Sequence, residues 1–171
     1  FGAFGTAGQR CTATSRLILQ EGIYDRFLDQ FLERTWKLRL GNPLDRLVDV
    51  GPLASRAQEE NVRAYIESGL EDGATLLYGG SKKKGEEFDE GFFIEPAIFE
   101  AEPSMRIARE EIFGPVLSVL KARDFNEAVR IANDVDYGLS APIYTQDVNR
   151  AFRAMEGLES GVVYINAPTI G

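Results

Sequence analysis

The chain has 171 residues, of which 44% are apolar and 27% charged, an ordinary composition for one globular α/β domain with a sizeable core. Its formal net charge is −8, and its only basic run, Lys82 to Lys84, stands beside two glutamates, so nucleic-acid binding gains no support. No apolar stretch reaches the roughly 20 residues of a membrane-spanning helix, and the first residues lack the basic region of a signal peptide. A lone thiol without a signal peptide predicts a reducing, cytoplasmic setting.

Strand and helix patterns alternate in the first part of the chain. In chain order, the patterns predict a strand over 14–20, a helix over 21–38, a helix over 56–72, a short strand over 75–80 and an apolar segment over 92–100. Ser55 has the chemistry of an N-cap for the second helix, and Gly73 stands where many helices end. The polar residues 81–91 predict a surface loop.

The alternation continues to the end of the chain. The further predicted elements are a strand over 116–122, a helix over 125–134, a strand over 140–145, a helix over 147–156 with Asp147 as its cap, and a strand over 161–166. Such alternation is typical of βαβ crossovers, so the predicted fold is α/β, with one continuous, mostly parallel sheet and helices on both faces. Pro142 favours an edge position or a kink for its strand.

The glycine fingerprints of nucleotide-binding α/β folds are missing. No G-x-G-x-x-G follows a predicted strand, no G-x-x-x-x-G-K-[ST] occurs, and the glycines at 2, 5 and 8 have the wrong spacing. If a nucleotide is bound, most of its site therefore lies elsewhere.

Cys11 is the single cysteine of a chain that contains no histidine. It cannot form an internal disulfide, no metal site is predicted, and hydrolases that need an imidazole are excluded within this chain. In TAGQRCT (6–12), small residues let backbone N–H groups approach the sulfur and Arg10 adds positive charge, which favours a reactive thiolate. The composition leaves two interpretations open, a nucleophile or a small buried hydrophobic side chain.

Two carboxylates run into an apolar corner in REEIFGPV (109–116). The Gly114-Pro115 pair cannot continue a helix, so Glu111 and Phe113 are held two residues apart at a turn. Such a pair could accept hydrogen bonds from vicinal sugar hydroxyls and pack against a planar heterocycle. The alternative is a solvated helix end with Phe113 in the core.

Together these stretches resemble the NAD(P)-dependent aldehyde dehydrogenases, in order and over the whole chain. The matching motifs are G-Q-R-C-T around Cys11, G-N-P at 41–43, G-P-L at 51–53, E-P at 95–96, E-E-I-F-G-P-V at 110–116, Y-G-L-S at 137–140 and G-V-V-Y-I-N at 161–166. Because the cysteine motif and E-I-F-G-P occur together, the resemblance favours a nucleophilic Cys11 and the fold of the family's catalytic domain.

The resemblance implies that Cys11 attacks an aldehyde, and that the thiohemiacetal passes hydride to the nicotinamide of NAD or NADP and becomes a thioester that water hydrolyses. The backbone N–H of Cys11 and an asparagine from elsewhere would hold the oxyanion. Glu111 resembles the glutamate that binds the nicotinamide ribose, Phe113 the ring near the nicotinamide, and Gln58 a residue near the adenosine half. The residues that would border the substrate are Arg10, Thr12, Ala167, Pro168, Thr169 and Ile170.

The resemblance also sets the expected limits of this chain. The family's E-L-G-G segment, with its general-base glutamate, and its P-F-G-G stretch are absent, so residues 1–171 are expected to be an incomplete catalytic domain of a homo-oligomer, without the cofactor domain. Arg10 suggests an anionic aldehyde such as a semialdehyde acid, while a salt bridge within the fold would explain it as well. Two alternative functions are an acylating enzyme that uses coenzyme A and a catalytically silent assembly or binding domain.

Overall fold

Six strands and five α-helices form within residues 1–169, the part of the chain that this computed structural model describes. The strands are β1 (Arg16–Gln20), β2 (Thr75–Tyr78), β3 (Ala97–Glu100), β4 (Val116–Ala122), β5 (Ser140–Ile143) and β6 (Val162–Ile165). The helices are α1 (Tyr24–Trp36), α2 (Arg56–Glu71), α3 (Arg106–Arg109), α4 (Phe125–Asn133) and α5 (Val148–Gly157). The elements predicted from the sequence are confirmed, with α3 and a short 3-10 turn over Glu21–Ile23 in addition.

Side-chain caps fix where three of the helices begin. The Ser55 hydroxyl accepts a hydrogen bond from the N–H of Gln58, and Asp147 accepts one from the N–H of Asn149, so both predicted caps are confirmed. Asp124 does the same for α4, through the N–H of Glu127. The caps satisfy N–H groups that have no partner inside the helix.

The strands divide into two sheets within residues 1–169. The larger has the order β1-β4-β3-β2, in which only β2 is antiparallel, and the smaller pairs β5 with β6 in parallel. The mostly parallel α/β fold is therefore confirmed, but the expectation of one continuous sheet is wrong for these residues. Periodicity shows that a segment is a strand without showing which strand lies beside it. Of the predicted alternatives for the strand of Pro142, a kink or an edge position, the edge position holds within the described part of the chain, where β5 pairs only with β6.

Helices cover both faces of the larger sheet. The hydroxyl of Ser118 donates to the carbonyl of Ile107 in α3, whereas Lys121, three residues further along β4, lies over the ring of Tyr24 in α1. Residues three apart on a strand point to opposite faces, so α1 and α3 lie on opposite sides. The core between these layers is centred on β3 and β4, whose most buried large residues are Ile98, Phe99, Leu117 and Leu120. Each contributes about 2 kcal/mol through its burial. Among residues 1–169, none of the helices is long and apolar enough to cross a membrane.

Candidate functional site

Cys11 lies in a series of tight turns that leads into β1. The turn is closed by the N–H of Ala13, which donates to the carbonyl of Arg10 over 2.9 Å. Cys11 is exposed, so the alternative that Cys11 is a small buried hydrophobic residue is wrong. None of the hydrogen bonds formed among residues 1–169 uses the N–H of Cys11, so this donor has no partner within these residues.

Gln9 ties the Cys11 loop to the segment that precedes α2. Its side-chain oxygen accepts a hydrogen bond from the N–H of Ala54 over 2.8 Å, and its side-chain nitrogen donates to the carbonyl of Pro52 over 3.3 Å. Both ends of the amide are therefore used. This role of Gln9 was not predicted, because nothing in the spacing from Gln9 to Pro52 signals a contact.

The two glutamates before the apolar corner have different surroundings. Glu110 accepts hydrogen bonds from the hydroxyl of Tyr65 and from Arg106, over 2.7 and 2.9 Å. These two donors, Tyr65 first, hold the pKa of Glu110 below its usual value. Glu111 is exposed, and within residues 1–169 its carboxylate forms neither a hydrogen bond nor an ion pair. The carboxylate without a partner is thus the one that the sequence singled out.

Phe113 adopts a left-handed backbone conformation, with φ 56°, and the residue is 41% exposed. This exposure removes the alternative that placed Phe113 in the core. A left-handed conformation is uncommon for a bulky residue and persists where its surroundings enforce it. Glu111 and Phe113 therefore present an unpaired carboxylate and an exposed ring two residues apart on one corner.

Gln58 and Asn61, one turn into α2, hold this corner. The side-chain nitrogen of Gln58 donates to the carbonyls of Ile112 and Phe113, each over 2.9 Å, and that of Asn61 donates to Ile112 over 3.2 Å. Gln58 was predicted from the resemblance as a residue near the adenosine of the cofactor, and that contact stays a prediction. Its hydrogen bonds to the corner, like those of Asn61, were not foreseen.

The Cys11 loop and the corner meet backbone to backbone. Gly8 has φ 67°, and a β-carbon on it would lie 1.9 Å from the carbonyl oxygen of Gly114. A β-carbon on Gly114 would lie 2.3 Å from a methyl group of Val62 in α2. Glycine is therefore required at both positions by close approach. The loop that carries Cys11 and the corner that carries Glu111 and Phe113 are therefore in direct contact at Gly8 and Gly114.

The residues predicted to border the substrate come from two segments, one around Cys11 and one at the end of the chain. Thr169 is buried, and its hydroxyl donates to the carbonyl of Thr12 over 2.6 Å, which brings the end of the described chain to the Cys11 loop. In the residues that precede Thr169, Ala167 is half-buried and Pro168 is exposed. Ile170 lies outside the described residues. Arg10 is half-buried, and its guanidinium forms no salt bridge or hydrogen bond within residues 1–169, so the salt-bridge interpretation gains no support there.

The fold and the site define an α/β domain with one exposed thiol beside a corner that bears a free carboxylate and an aromatic ring. A family model described as the aldehyde dehydrogenase family matches residues 1–171, and the chain belongs to that family. The resemblance read from the motifs is confirmed.

Individual relatives cover the chain almost completely. The alpha-ketoglutaric semialdehyde dehydrogenase of Bacillus subtilis is 46% identical over an alignment of 171 positions that covers 99% of this chain and 35% of that protein. The betaine aldehyde dehydrogenase of Mesorhizobium japonicum is 48% identical over 167 residues, 97% of this chain and 34% of that protein. A crystal structure of betaine aldehyde dehydrogenase from Staphylococcus aureus in complex with NAD+ matches with a TM-score of 0.95 at 34% identity, over 98% of this chain and 33% of that one. The chain spans about a third of the length of these relatives.

Proposed function

We propose that residues 1–171 form the thiol-bearing part of the catalytic domain of an enzyme that oxidises an aldehyde to a carboxylic acid with NAD or NADP. The observation that carries the proposal is the contact of two loops, one with the exposed thiol of Cys11 and one with Glu111 and Phe113. Membership of the aldehyde dehydrogenase family supports it. We also propose that the enzyme is cytoplasmic, where a free thiol stays reduced, and homo-oligomeric.

Cys11 is the nucleophile of this proposal. Its thiolate adds to the carbonyl carbon, so that a C–S bond forms and the carbonyl electron pair moves to the oxygen. When the oxygen restores its double bond, hydride leaves the same carbon and a thioester remains on Cys11. Water then adds to the thioester, the C–S bond breaks with its electron pair returning to sulfur, and the carboxylic acid departs. The base that activates the water is proposed to lie outside residues 1–171.

The backbone N–H of Cys11 is suited to hold the oxyanion of the first step. Because the hydrogen bonds among residues 1–169 leave this donor unused, none of them has to break before it binds a negatively charged oxygen. A donor that is already oriented and free of other partners stabilises developing charge most strongly. A second donor, an asparagine side chain, is proposed to come from outside this chain.

The corner around Phe113 fits part of a nicotinamide cofactor. Glu111 offers acceptor oxygens without a competing partner, as vicinal ribose hydroxyls require, and the exposed ring of Phe113 offers an apolar face for a planar heterocycle. When bound, NAD or NADP accepts the hydride. The Staphylococcus aureus relative was crystallised with NAD+, which supports this assignment.

Arg10 points to an aldehyde that also carries a carboxylate. Its guanidinium neighbours Cys11 in sequence, is half-buried, and has no anionic partner within residues 1–169, although the chain carries eight net negative charges. Alpha-ketoglutaric semialdehyde, named for the Bacillus subtilis relative, is such a substrate, whereas betaine aldehyde is a cation. Arg10→Gln in the complete protein should lower kcat/KM for the anionic aldehyde roughly tenfold or more and leave that for betaine aldehyde equal or higher. Arg26→Gln, on α1, removes the same charge elsewhere as a control.

Trapping the acyl group on Cys11 tests the proposed function. The complete protein would be mixed with cofactor and an aromatic aldehyde whose thioester on Cys11 is hydrolysed slowly. The reaction would be quenched in acid and the protein digested. The mass of the peptide that contains Cys11 would then be measured by mass spectrometry. The expected result is a mass increase equal to the acyl group, absent without cofactor and absent in Cys11→Ala. An enzyme of the coenzyme A type would form the same adduct but release an acyl thioester as its product. No adduct at Cys11 under turnover would refute the mechanism.

A further inference from the structure

We propose that residues 52–61, the turn before α2 and its first residues, position both halves of the site, with Gln9 and Gln58 as the two positioning residues. The inference rests on the proposed function and goes beyond it, because neither glutamine needs to touch the reacting atoms for this role. The geometry that points to it is a closed arrangement of four segments: the Cys11 loop, residues 52–54, the start of α2, and the corner around Phe113.

The first connection joins the Cys11 loop to residues 52–54. Gln9, two residues before Cys11, uses both its acceptor and its donor on the backbone of Ala54 and Pro52. The intervening Leu53 is 3% exposed, and its N–H donates to the carbonyl of Phe92 over 2.8 Å. Gln9 is therefore attached to a segment that is itself anchored in the core.

The second connection joins the start of α2 to the corner. Gln58 donates to two successive carbonyls, those of Ile112 and Phe113, and Asn61 adds a third hydrogen bond. A left-handed backbone is unfavourable for a bulky residue such as Phe113 and is retained only where other contacts enforce it. The amide of Gln58 makes two of those contacts, so its loss should let the corner relax toward an ordinary conformation.

The two connections are joined to each other. The hydroxyl of Ser55 caps α2 at the N–H of Gln58, which makes residues 52–58 one short, internally bonded segment. On the other side of the arrangement, Gly8 packs directly against Gly114. The pairing of β1 with β4 brings the two loops to neighbouring positions, and residues 52–58 together with the Gly8–Gly114 contact link the loops directly. Loosening either glutamine should disturb the same geometry.

Reaction rates are sensitive to such displacements, since a shift of about 1 Å between reacting groups can cost on the order of a hundredfold in rate. Gln58→Ala in the complete protein should therefore slow single-turnover hydride transfer roughly tenfold. Gln58→Glu should slow it further, because a carboxylate would face two carbonyl oxygens at hydrogen-bonding distance. The rate of Cys11 alkylation by iodoacetamide should stay within about twofold of wild type, which a general loss of structure would not allow.

A double-mutant cycle on the complete protein tests the coupling. Single-turnover hydride transfer would be measured for Gln9→Ala, Gln58→Ala and the double variant, with the exposed Gln30→Ala as matched control. If both glutamines act through residues 52–61, the double variant should lose clearly less rate than the product of the single losses. Multiplicative losses would overturn the coupling, and unchanged rates in both single variants would overturn the positioning roles.

Amide hydrogen exchange separates this inference from the proposed function. In the resting protein, Gln58→Ala should speed exchange at residues 112–116 and Gln9→Ala should speed it at residues 7–14, while Gln30→Ala changes neither. If the wild-type protein oxidised no aldehyde but the two variants showed these changes in exchange, the proposed function would fail while the positioning role stood. If exchange were unchanged while the wild type was active, the positioning role would fail alone.

Discussion

The α-carbon of Gly8 packs against the carbonyl of Gly114, at a distance that leaves no room for a β-carbon. This contact joins the loop that carries the single thiol to the corner that carries Glu111 and Phe113. It gives a physical reason for the glycine in G-Q-R-C, whereas the glycine in F-G-P is required by the nearby methyl group of Val62. Proximity of the two motifs is thereby a property of the backbone, independent of any side chain that later binds a ligand.

Gly8→Ala should both destabilise the protein and remove its activity. The new methyl group would lie 1.9 Å from the oxygen of Gly114, and Gly8 already has a left-handed φ of 67°, so the backbone must shift. We expect the free energy of unfolding to fall by about 2 kcal/mol or more, measured by denaturant titration. The control is Gly22→Ala, since nothing lies within 4 Å of its β-carbon position. Equal stability of the two variants would contradict the tight contact.

Glu111→Gln should affect chemistry, whereas Glu110→Gln should affect structure. Glu111 has no partner within residues 1–169, so its replacement should leave the unfolding midpoint unchanged while slowing single-turnover hydride transfer roughly tenfold. Glu110 binds Tyr65 and Arg106, so its replacement should lower the midpoint. The reverse assignment of effects would show that the cofactor-facing carboxylate is Glu110.

The sequence predicted the elements of the fold better than their arrangement. Ser55 and Asp147 were identified as caps because capping is a local interaction between residues two or three apart. The division into two sheets, with Pro142 in the smaller one, depends on which strands lie side by side, and no local pattern encodes this. Proximity in sequence and proximity in the sheet are separate properties.

The candidate site shows the same limit. Cys11 and Glu111 stood out because their chemistry is visible in single motifs, and the resemblance connected them. The contacts that assemble the site are invisible at that level: Gln9 reaches Pro52, and Gln58 reaches Phe113, across 43 and 55 residues. The side chains of these glutamines bind backbone atoms of their partners. Because every residue carries such atoms, the sequence does not indicate which residue is the partner.

The start of α4 should give the protein an acid-dependent contribution to stability. Arg123 donates to Glu127 through its side chain and its backbone N–H, which lowers the pKa of Glu127 to about 2 from an ordinary 4.5. Because this carboxyl binds its proton less tightly in the folded state than in the unfolded state, the contribution is complete above about pH 4.5 and disappears as the pH falls toward 2. Glu127→Gln should therefore be less stable than wild type at pH 7, with a difference that shrinks between pH 4.5 and 2. Exposed Glu60→Gln is the control, and a pH-independent difference for Glu127→Gln would contradict the prediction.

Residues 1–171 on their own should fold, self-associate and lack turnover. Large apolar side chains are exposed around α5 and its neighbouring strands: Tyr137, Leu139, Tyr144, Val148, Phe152 and Met155. On α5, Val148, Phe152 and Met155 follow helical spacing and form one apolar stripe, which favours association. Light scattering should detect oligomers that Phe152→Glu reduces. Steady aldehyde oxidation by these residues alone, above that of a Cys11→Ala control, would show that they hold a complete site.

The role of Cys11 as the nucleophile is tested most directly by the amount and rate of reduced cofactor formed in the first turnover of the complete protein. With excess aldehyde and NAD or NADP, absorbance of the reduced nicotinamide should rise in a burst that approaches one equivalent per Cys11 if hydrolysis of the thioester is the slower step. In Cys11→Ala the burst should vanish and the rate should fall by several powers of ten, with cofactor still bound. If Cys11→Ala kept more than about a tenth of the wild-type rate, Cys11 would not be the nucleophile.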